Sequence, residues 1–321
     1  MNVPPFRKLS LSATASVALV VSCAAVAGAV VFTLPKPGTS TQISALVAKS
    51  TAINKLPSTL NPALSQVPVD TVSNTKYAGP AGGCLTVTPK CTYGKLTSTK
   101  TVVLFGDSHA WMWLTAVIPQ MVKDGDKLQL LWRVGCPVAN LTIESATTKQ
   151  PDTACTSWRN TTIATIKSEN PIAVILSERT TAVFSTGTTL VTSAQWTSGL
   201  GSTISQLKST STKVVVIGDN AAYANLTSPA SCLGVYTSAV QKCATPLNNP
   251  VAQWAMQAAA EKAAAVANSV GFVNPTPWLC YKSSCSEVIG NFAVYFDWSH
   301  ITATYGAYLS NVMGAKLQPL L

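Results

Sequence analysis

Short apolar runs that alternate with segments of helical spacing constrain the fold of this chain more than any other feature. The predicted strands are Thr101–Phe105, Leu128–Trp132, Ile172–Leu176, Lys213–Ile217 and Gly271–Val273, and the predicted helices are Ala110–Val122, Ser157–Ser168, Ser193–Lys208, Val251–Asn268 and Thr302–Leu317. A strand as continuously apolar as Val214–Ile217 fits a sheet that is buried on both faces. The alternation therefore predicts βαβ units, a parallel sheet and an α/β fold with helices on both sides.

The N-terminal region carries Arg7-Lys8 followed by an apolar or small-residue stretch from Leu9 to Leu34. A stretch of about 26 such residues can span a bilayer, and positive charge before it places the N-terminus in the cytoplasm. We expect residues 1–34 to be a membrane anchor or signal segment. Cleavage near Ala27-Gly28-Ala29 is one alternative, and lipidation of Cys23 in the lipobox-like Val20–Cys23 is another. All three place the rest of the chain outside the cytoplasm.

Residues 35–76 are rich in Pro, Ser, Thr, Ala and Asn and show little periodicity. This composition predicts a flexible linker, with one short helix near Ile43–Lys49. The regular pattern begins after it, so we expect one domain over residues 77–321. Domains of this size bury a substantial core.

Nine cysteines indicate an oxidising, extracytoplasmic compartment. Apart from Cys23, they fall as near neighbours: Cys84 and Cys91, Cys136 and Cys155, Cys232 and Cys243, Cys280 and Cys285. Eight cysteines allow 105 pairings, so the sequence does not fix the connectivity, although we expect the neighbours to pair. A zinc site is the competing use, but the chain has no Cys-x-x-Cys pair, and no metal or cofactor is expected.

The formal net charge of +10 is spread thinly, with no Lys/Arg block longer than two residues. A nucleic-acid surface would cluster its basic residues on one element, so no nucleic-acid partner is expected. The excess charge fits a role in solubility, and weak attraction to anionic membranes or cell-wall polymers is compatible with it.

Two short motifs carry the candidate chemistry, and together they contain the only two histidines. Gly106–His109 follows the first predicted strand, and Asp297–His300 lies near the C-terminus. Ser108 at a strand exit could act as a nucleophile, with His300 as its base and Asp297 orienting the imidazole. The alternative is that Ser108 only caps a helix and His300 is an ordinary polar residue.

Other residues near these motifs are weaker candidates. Ligands of parallel sheets sit outside the carboxyl ends of the strands, which is where Ser108 and Gly135 fall. His109, Trp111 and Trp298 are candidate substrate contacts, although His109 could instead support the turn and the tryptophans could belong to the core. Asp107 is expected to cap or order its loop.

The two motifs resemble blocks I and V of the SGNH (GDSL-type) hydrolase superfamily. More narrowly, the chain resembles the extracytoplasmic SGNH domain that is fused to, or works beside, acyltransferase-3 membrane proteins that O-acylate surface glycans. The further residues that carry this resemblance are Cys84 with Cys91-Thr92-Tyr93-Gly94, Gly135-Cys136-Pro137, Val216–Asn220 with Pro229 and Cys232-Leu233, and Pro275, Cys280 and Cys285 before Asp297–Thr302. The resemblance covers residues 77–320.

The resemblance implies a flavodoxin-like three-layer α/β/α fold with a central parallel sheet. It implies Ser108 as nucleophile, His300 as base, Asp297 as its partner, and an oxyanion hole made by the amides of Ser108 and Gly135. The implied activity is acyl transfer to, or ester hydrolysis from, cell-envelope glycans, through an acyl-serine. A separate acyltransferase-3 membrane protein would supply the acyl group.

One departure from the superfamily pattern concerns the block III asparagine. The residues after Ile172–Leu176 are Ser177-Glu178-Arg179, and Asn220 comes one strand later, so no oxyanion role is transferred to it. Ser177 or Arg179 would be the substitute donor at that place. The alternative function is a catalytically weak or inactive SGNH module that binds glycans or acts as an envelope scaffold.

Overall fold

A computed structural model gives the architecture of the chain. The described residues are 31–79, 83–86, 91–145, 147–180, 183–187, 189–209, 211–222, 228–247 and 254–321. The expected anchor lies outside them except for residues 31–34, and Val31–Leu321 forms one compact unit. None of the helices in these ranges is long and apolar enough to cross a membrane.

Helices and strands alternate along the described chain. The α-helices are α1 (Ser40–Ser50), α2 (Ser108–Met112), α3 (Leu114–Asp124), α4 (Thr153–Glu169), α5 (Ser193–Leu207), α6 (Pro229–Val235), α7 (Trp254–Ala267), α8 (Thr276–Leu279), α9 (Ala303–Tyr308) and α10 (Ser310–Leu317). The strands are β1 (Thr92–Gly94), β2 (Thr101–Gly106), β3 (Lys127–Trp132), β4 (Ala173–Ser177), β5 (Phe184–Thr186), β6 (Thr189–Leu190), β7 (Lys213–Ile217), β8 (Thr245–Pro246), β9 (Gly271–Val273), β10 (Cys280–Tyr281), β11 (Ser284–Cys285), β12 (Val288–Ile289) and β13 (Phe292–Ala293). Short 3₁₀ helices cover Leu64–Val69, Val72–Asn74 and Val240–Cys243.

The central sheet has the strand order β1-β3-β2-β4-β7-β9. Five of its strands, β3, β2, β4, β7 and β9, run parallel to one another. Strand β1 is an edge strand and pairs antiparallel with β3. When the five parallel strands are numbered along the chain, their order across the sheet is 2-1-3-4-5, which is the flavodoxin-like order. The predicted α/β fold is confirmed, and each of the five predicted strands is present to within one residue at either end.

Both faces of the sheet are buried, which explains the uninterrupted apolar strands. Alternate residues of a strand point to opposite faces, so Val102 and Leu104 join one core while Val103 and Phe105 join the other. The first core is covered by α1, α3, α9 and α10, and the second by α4, α5 and α7. The result is the three-layer arrangement that the resemblance implied.

Two predicted helices are each divided in the structure. The segment expected as one helix over Ala110–Val122 forms α2 and α3, which meet at Trp113. The segment expected over Thr302–Leu317 forms α9 and α10, which meet at Leu309. Both junction side chains are fully buried in the first core.

The segment 35–76, which was expected to be a flexible linker, instead packs on the domain. Its helix α1 was expected near Ile43–Lys49, and Ile43 and Val47 lie one turn apart on a face buried in the first core. Val72 joins the same core, and the buried carboxylate of Asp70 accepts a hydrogen bond from the amide of Thr304. The polar composition misled the linker prediction because a few well-spaced apolar residues suffice to dock the segment.

Four disulfides join the neighbouring cysteines as expected. They are Cys84–Cys91, Cys136–Cys155, Cys232–Cys243 and Cys280–Cys285. Short closed loops of this kind stabilise by roughly 2–3 kcal/mol each in the chain-entropy model. The bond between Cys136 and Cys155 also ties the loop after β3 to the first turn of α4.

The docking of α1 predicts a measurable loss of stability in Ile43→Ala. Removing three buried carbons should lower the free energy of unfolding by about 2–4 kcal/mol, measured by urea denaturation of the full chain. Ser44→Ala changes the next, exposed residue of the same helix and should have little effect. Equal stability of the two variants would show that residues 35–76 are not part of the folded domain.

Candidate active site

The turn that carries Ser108 begins with a glycine that has no room for a side chain. A Cβ on Gly106 would lie 1.8 Å from the carbonyl oxygen of Ser177 on β4. Gly106 pairs with Ser177 on one side and with Trp132 on the other. The end of β2 therefore sits at the centre of the carboxyl edge, between the ends of β3 and β4, where ligands of such sheets bind.

Asp107 orders this turn, as the sequence predicted. Its Oδ1 accepts from the amide of His109 at 2.8 Å, which caps α2. Its Oδ2 accepts from the amide of Arg179 at 2.9 Å and so joins the turn to the end of β4. Ser108 is the first residue of α2 and is partly exposed.

The structure brings the side chains of Ser108, His300 and Asp297 into one hydrogen-bonded chain. The Oγ of Ser108 lies 2.8 Å from Nε2 of His300. The Nδ1 of His300 lies 2.9 Å and 2.8 Å from the two carboxylate oxygens of Asp297. Residues that are 192 positions apart in the sequence thus have the geometry of a nucleophile, a base and an orienting acid.

A local turn positions the second motif. The Oδ1 of Asp297 accepts from the amides of Ser299 and His300 at 2.9 Å and 2.8 Å, so the carboxylate is held beside the imidazole of the same turn. The ring of Phe296 stacks on that of His300 with centroids 5.3 Å apart. The side-chain amide of Asn220 donates to the carbonyl of Ser299 at 2.8 Å and anchors the turn to the end of β7.

The environment shifts the pKa of both titratable members of the chain. Burial lowers the pKa of His300, the hydrogen bond that its Nδ1 donates to Asp297 opposes this shift, and the electrostatic interaction with His109 adds to it. Burial would raise the pKa of Asp297, but the hydrogen bond and charge of His300 outweigh it and hold the pKa below its usual value. His300 is therefore kept neutral, as a base must be, and Asp297 is kept ionised.

His109 faces into the protein. It is 1% exposed, so the structure does not support its candidacy as a substrate contact, and its Nδ1 pairs with Oδ1 of Asp219 at 2.7 Å. Its ring meets that of His300 edge to face, with centroids 4.8 Å apart. The alternative expectation, that His109 supports the turn, agrees with this placement.

A buried polar network behind the site was not recognised from the sequence. Asp219 also accepts from the amide and the hydroxyl of Thr180, each at 2.8 Å, and its own amide donates to Glu261 at 2.8 Å. Burial would raise the pKa of Asp219, but His109 and Thr180 hold it below the usual range. Burial raises the pKa of Glu178 to about 8, and its carboxyl accepts from the amide of Ala139. Polar residues directly after two apolar strands were the signal that could have found this network.

The amides of Ser108 and Gly135 are the candidate oxyanion donors. Gly135 has φ +65° and open space beside its Cα, and neither amide donates to a protein acceptor in the described part of the chain. Asn220 is not free for this role, since its side-chain amide donates to the carbonyls of both Ala221 and Ser299.

The two tryptophan candidates are partly buried. Trp111 stacks on Trp132 with centroids 5.3 Å apart, and it packs against the first core. Trp298 packs against a third apolar cluster that contains Leu233 and Val288. The guanidinium of Arg179 lies 5.1 Å from the centre of the Trp298 ring, beside the Asp297–His300 turn.

The fold and this geometry define an α/β protein with a Ser–His–Asp arrangement at the carboxyl edge of a parallel sheet. The family model described as SGNH domain (fused to AT3 domains) matches residues 76–314. The chain belongs to this family. A search of curated proteins gives no match.

Three bacterial proteins are among the solved structures that the chain matches. The periplasmic domain of a lipopolysaccharide acetyltransferase from Salmonella ser. Paratyphi A aligns with a TM-score of 0.54 at 18% identity, over 70% of this chain and 85% of that one. The carbohydrate acetylesterase Est24 of Sinorhizobium meliloti aligns with a TM-score of 0.43 at 13% identity, over 69% and 100%. An aryl esterase of M. smegmatis aligns with a TM-score of 0.45 at 15% identity, over 69% and 100%. The first of these likenesses supports the shared fold.

The environment of His300 predicts its titration. The chain has only two histidines, so the imidazole signals that disappear from the NMR spectrum in His300→Gln identify His300. Its midpoint should lie below the ordinary value of about 6.5. Asp297→Asn removes the partner that raises this pKa and should move the midpoint lower still, whereas Asp124→Asn, at the exposed C-terminal residue of α3, should not. A midpoint above the ordinary value would contradict the described environment.

Proposed function

We propose that the protein is an exported serine acyl-ester enzyme that acts on O-acyl groups of cell-envelope glycans. The observation that carries the proposal is the chain of hydrogen bonds from Ser108 through His300 to Asp297, at 2.8 Å at each step, at the carboxyl edge of the sheet. Membership of the SGNH family supports an enzyme of the acetyltransferase or esterase type. No cofactor takes part in the proposed chemistry.

In the first half of the reaction, Ser108 Oγ attacks the carbonyl carbon of an acyl ester. Nε2 of His300 accepts the hydroxyl proton as the bond forms, and the adjacent carboxylate of Asp297 stabilises the imidazolium. Collapse of the tetrahedral intermediate breaks the ester bond. His300 returns the proton to the departing alcohol oxygen, and the acyl group remains on Ser108.

In the second half, an acceptor hydroxyl releases the acyl group. His300 takes the proton of that hydroxyl while its oxygen attacks the acyl carbon, and then returns the proton to Ser108 Oγ. A sugar hydroxyl as acceptor makes the protein a transferase, and water makes it an esterase.

The amides of Ser108 and Gly135 are placed in the proposal as donors to the oxyanion. Gly135 is held by the loop that the Cys136–Cys155 disulfide and Arg159 fix, since the guanidinium donates to the carbonyls of Pro137 and Leu141. A donor that is already in place at the developing charge can contribute roughly 3–4 kcal/mol of transition-state stabilisation.

The disulfides support a location outside the cytoplasm. We propose that residues 1–34 tether the chain to the membrane with the N-terminus in the cytoplasm. The description of the family as fused to AT3 domains supports an association with an acyltransferase-3 membrane protein, and we propose that a separate protein of this kind is the acyl donor.

Ser108→Ala should abolish turnover of a chromogenic acetyl ester and covalent labelling by a fluorophosphonate. The rate should fall by at least about 10³-fold, because Ser108 supplies the hydroxyl at Nε2 of His300, whereas the Ser299 hydroxyl lies 3.2 Å from Nδ1, the nitrogen held by Asp297. Intact mass and peptide mapping locate the label, and Ser205→Ala, which removes an exposed hydroxyl on α5, should behave as wild type.

Two outcomes would contradict the proposal. Hydrolysis that survives Ser108→Ala would remove the assigned nucleophile. No turnover and no label in the wild type would favour a glycan-binding or scaffolding module. Adding an acceptor glycan to an active enzyme then separates transfer from hydrolysis by the product formed.

The anchor proposal has its own test. The intact mass of protein extracted from membranes should equal that of the uncleaved chain. A mature N-terminus at Cys23 with added lipid, or one near Ala27–Ala29, would replace the anchor with a lipoprotein or a secreted form.

A further inference from the structure

Arginine is rare in this chain, and the arginines of the described ranges are concentrated at the carboxyl ends of the central strands. Only four of the 22 basic residues are arginines, and the other eighteen are lysines. Arg133 directly follows β3, Arg179 follows β4 by two residues, and Arg159 on α4 binds the loop after β3. The three arginines in the described ranges therefore serve the carboxyl edge that holds Ser108.

Arg133 and Arg179 bracket the candidate nucleophile. The strand order places β2 between β3 and β4, and Gly106 pairs with the last residue of each neighbour. The amide of Arg133 donates to the carbonyl of Gly106 at 3.2 Å, and the amide of Arg179 donates to the carboxylate of Asp107 at 2.9 Å. One arginine thus stands on either side of the turn that begins with Gly106.

Neither guanidinium has an acidic partner. All twelve Asp and Glu residues of the sequence lie in the described part of the chain, and the ion pairs among these residues involve His109, Lys149 and His300 only. Arg133 and Arg179 are both partly exposed. Arg159 differs, because it is buried and uses its donors on backbone carbonyls.

The carboxylates that could have neutralised these arginines are inside the protein. Seven of the twelve are buried, namely Asp70, Asp107, Asp126, Glu178, Asp219, Glu261 and Glu287. The outer surface is therefore more basic than the net charge of the sequence suggests. A planar guanidinium binds carboxylate and phosphate with two parallel hydrogen bonds, a geometry that lysine cannot provide.

We infer that this edge is an anion-binding subsite, and that the glycan on which the enzyme acts carries carboxylate or phosphate groups. Arg179 is held over Trp298, next to the Asp297–His300 turn, so it can bind such a group beside the reacting ester. Arg133 provides a second contact on the other side of Ser108. That the ligand is a glycan rests on the proposed function. That the ligand is anionic rests on the guanidinium groups of Arg133 and Arg179, which have no acidic partner among the described residues.

Binding to the full-length Ser108→Ala protein tests the inference without turnover. Trigalacturonate, its fully methyl-esterified form and glucose 1-phosphate are titrated by calorimetry at physiological ionic strength, where long-range attraction is screened. We expect trigalacturonate to bind at least about tenfold more tightly than its neutral ester, because its carboxylates can accept charge-assisted hydrogen bonds and one such bond is enough to raise affinity by this factor. The phosphate arm tells which of the two anions is preferred.

Arg179→Gln should remove most of this preference, and Arg179→Lys should restore only part of it, since lysine keeps the charge but not the paired donors. Lys213→Gln is the matched control. It removes an exposed cation at the opposite edge of the same sheet and should leave the preference unchanged.

Three results would overturn the inference. They are equal binding of trigalacturonate and its methyl ester, an equal loss of preference in Arg179→Gln and Lys213→Gln, and no binding of either anion. Failure of the proposed function is a separate result, because an unlabelled Ser108 in a protein that still binds anions would leave the subsite intact. Conversely, if Ser108 is labelled but the protein binds trigalacturonate and its ester equally, the proposed function stands and the anion-binding subsite is refuted.

Discussion

The close approach of β2 and β4 at their carboxyl ends is the constraint on which the site depends. Gly106 lets the carbonyl of Ser177 lie where any side chain would be, and this contact holds the turn after β2 against the end of β4. Asp107 can then cap α2 and bind the amide of Arg179 at once. Ser108 is placed by these backbone contacts before any of its own side-chain interactions are counted.

The second half of the site is the turn Asp297–His300, which is held in shape by hydrogen bonds among its own residues. Asp297 accepts hydrogen bonds from two amides of its turn. Its contact with Nδ1 positions the imidazole of His300 and keeps the neutral ring in the tautomer that leaves Nε2 free to act as a base. The ring of His300 is fixed between the face of Phe296 and the edge of His109. Behind it, the buried pair of His109 and Asp219 is stable because every oxygen of Asp219 has a donor, which a buried carboxylate requires.

The distribution of polar groups separates what is used for structure from what is free for a ligand. The side-chain amide of Asn220 donates to two backbone carbonyls, and Arg159 binds the loop after β3. Both side chains therefore stabilise the loops around the site. The amides of Ser108 and Gly135 and the guanidinium groups of Arg133 and Arg179 have no such partners among the described residues. In the proposed reaction, the two amides act on the reacting carbonyl and the two arginines on the substrate around it.

Features that depend on short stretches of chain could be predicted from the sequence. The strand at Lys213–Ile217, the pairing of neighbouring cysteines and the Asp297–His300 turn are of this kind, because apolar runs, short loops and local hydrogen bonds are set by adjacent residues. Tertiary structure decided the rest. The docking of α1, the inward direction of His109 and the bracketing of Ser108 by two free arginines all follow from which strands and helices become neighbours, and that depends on contacts between residues far apart in the chain.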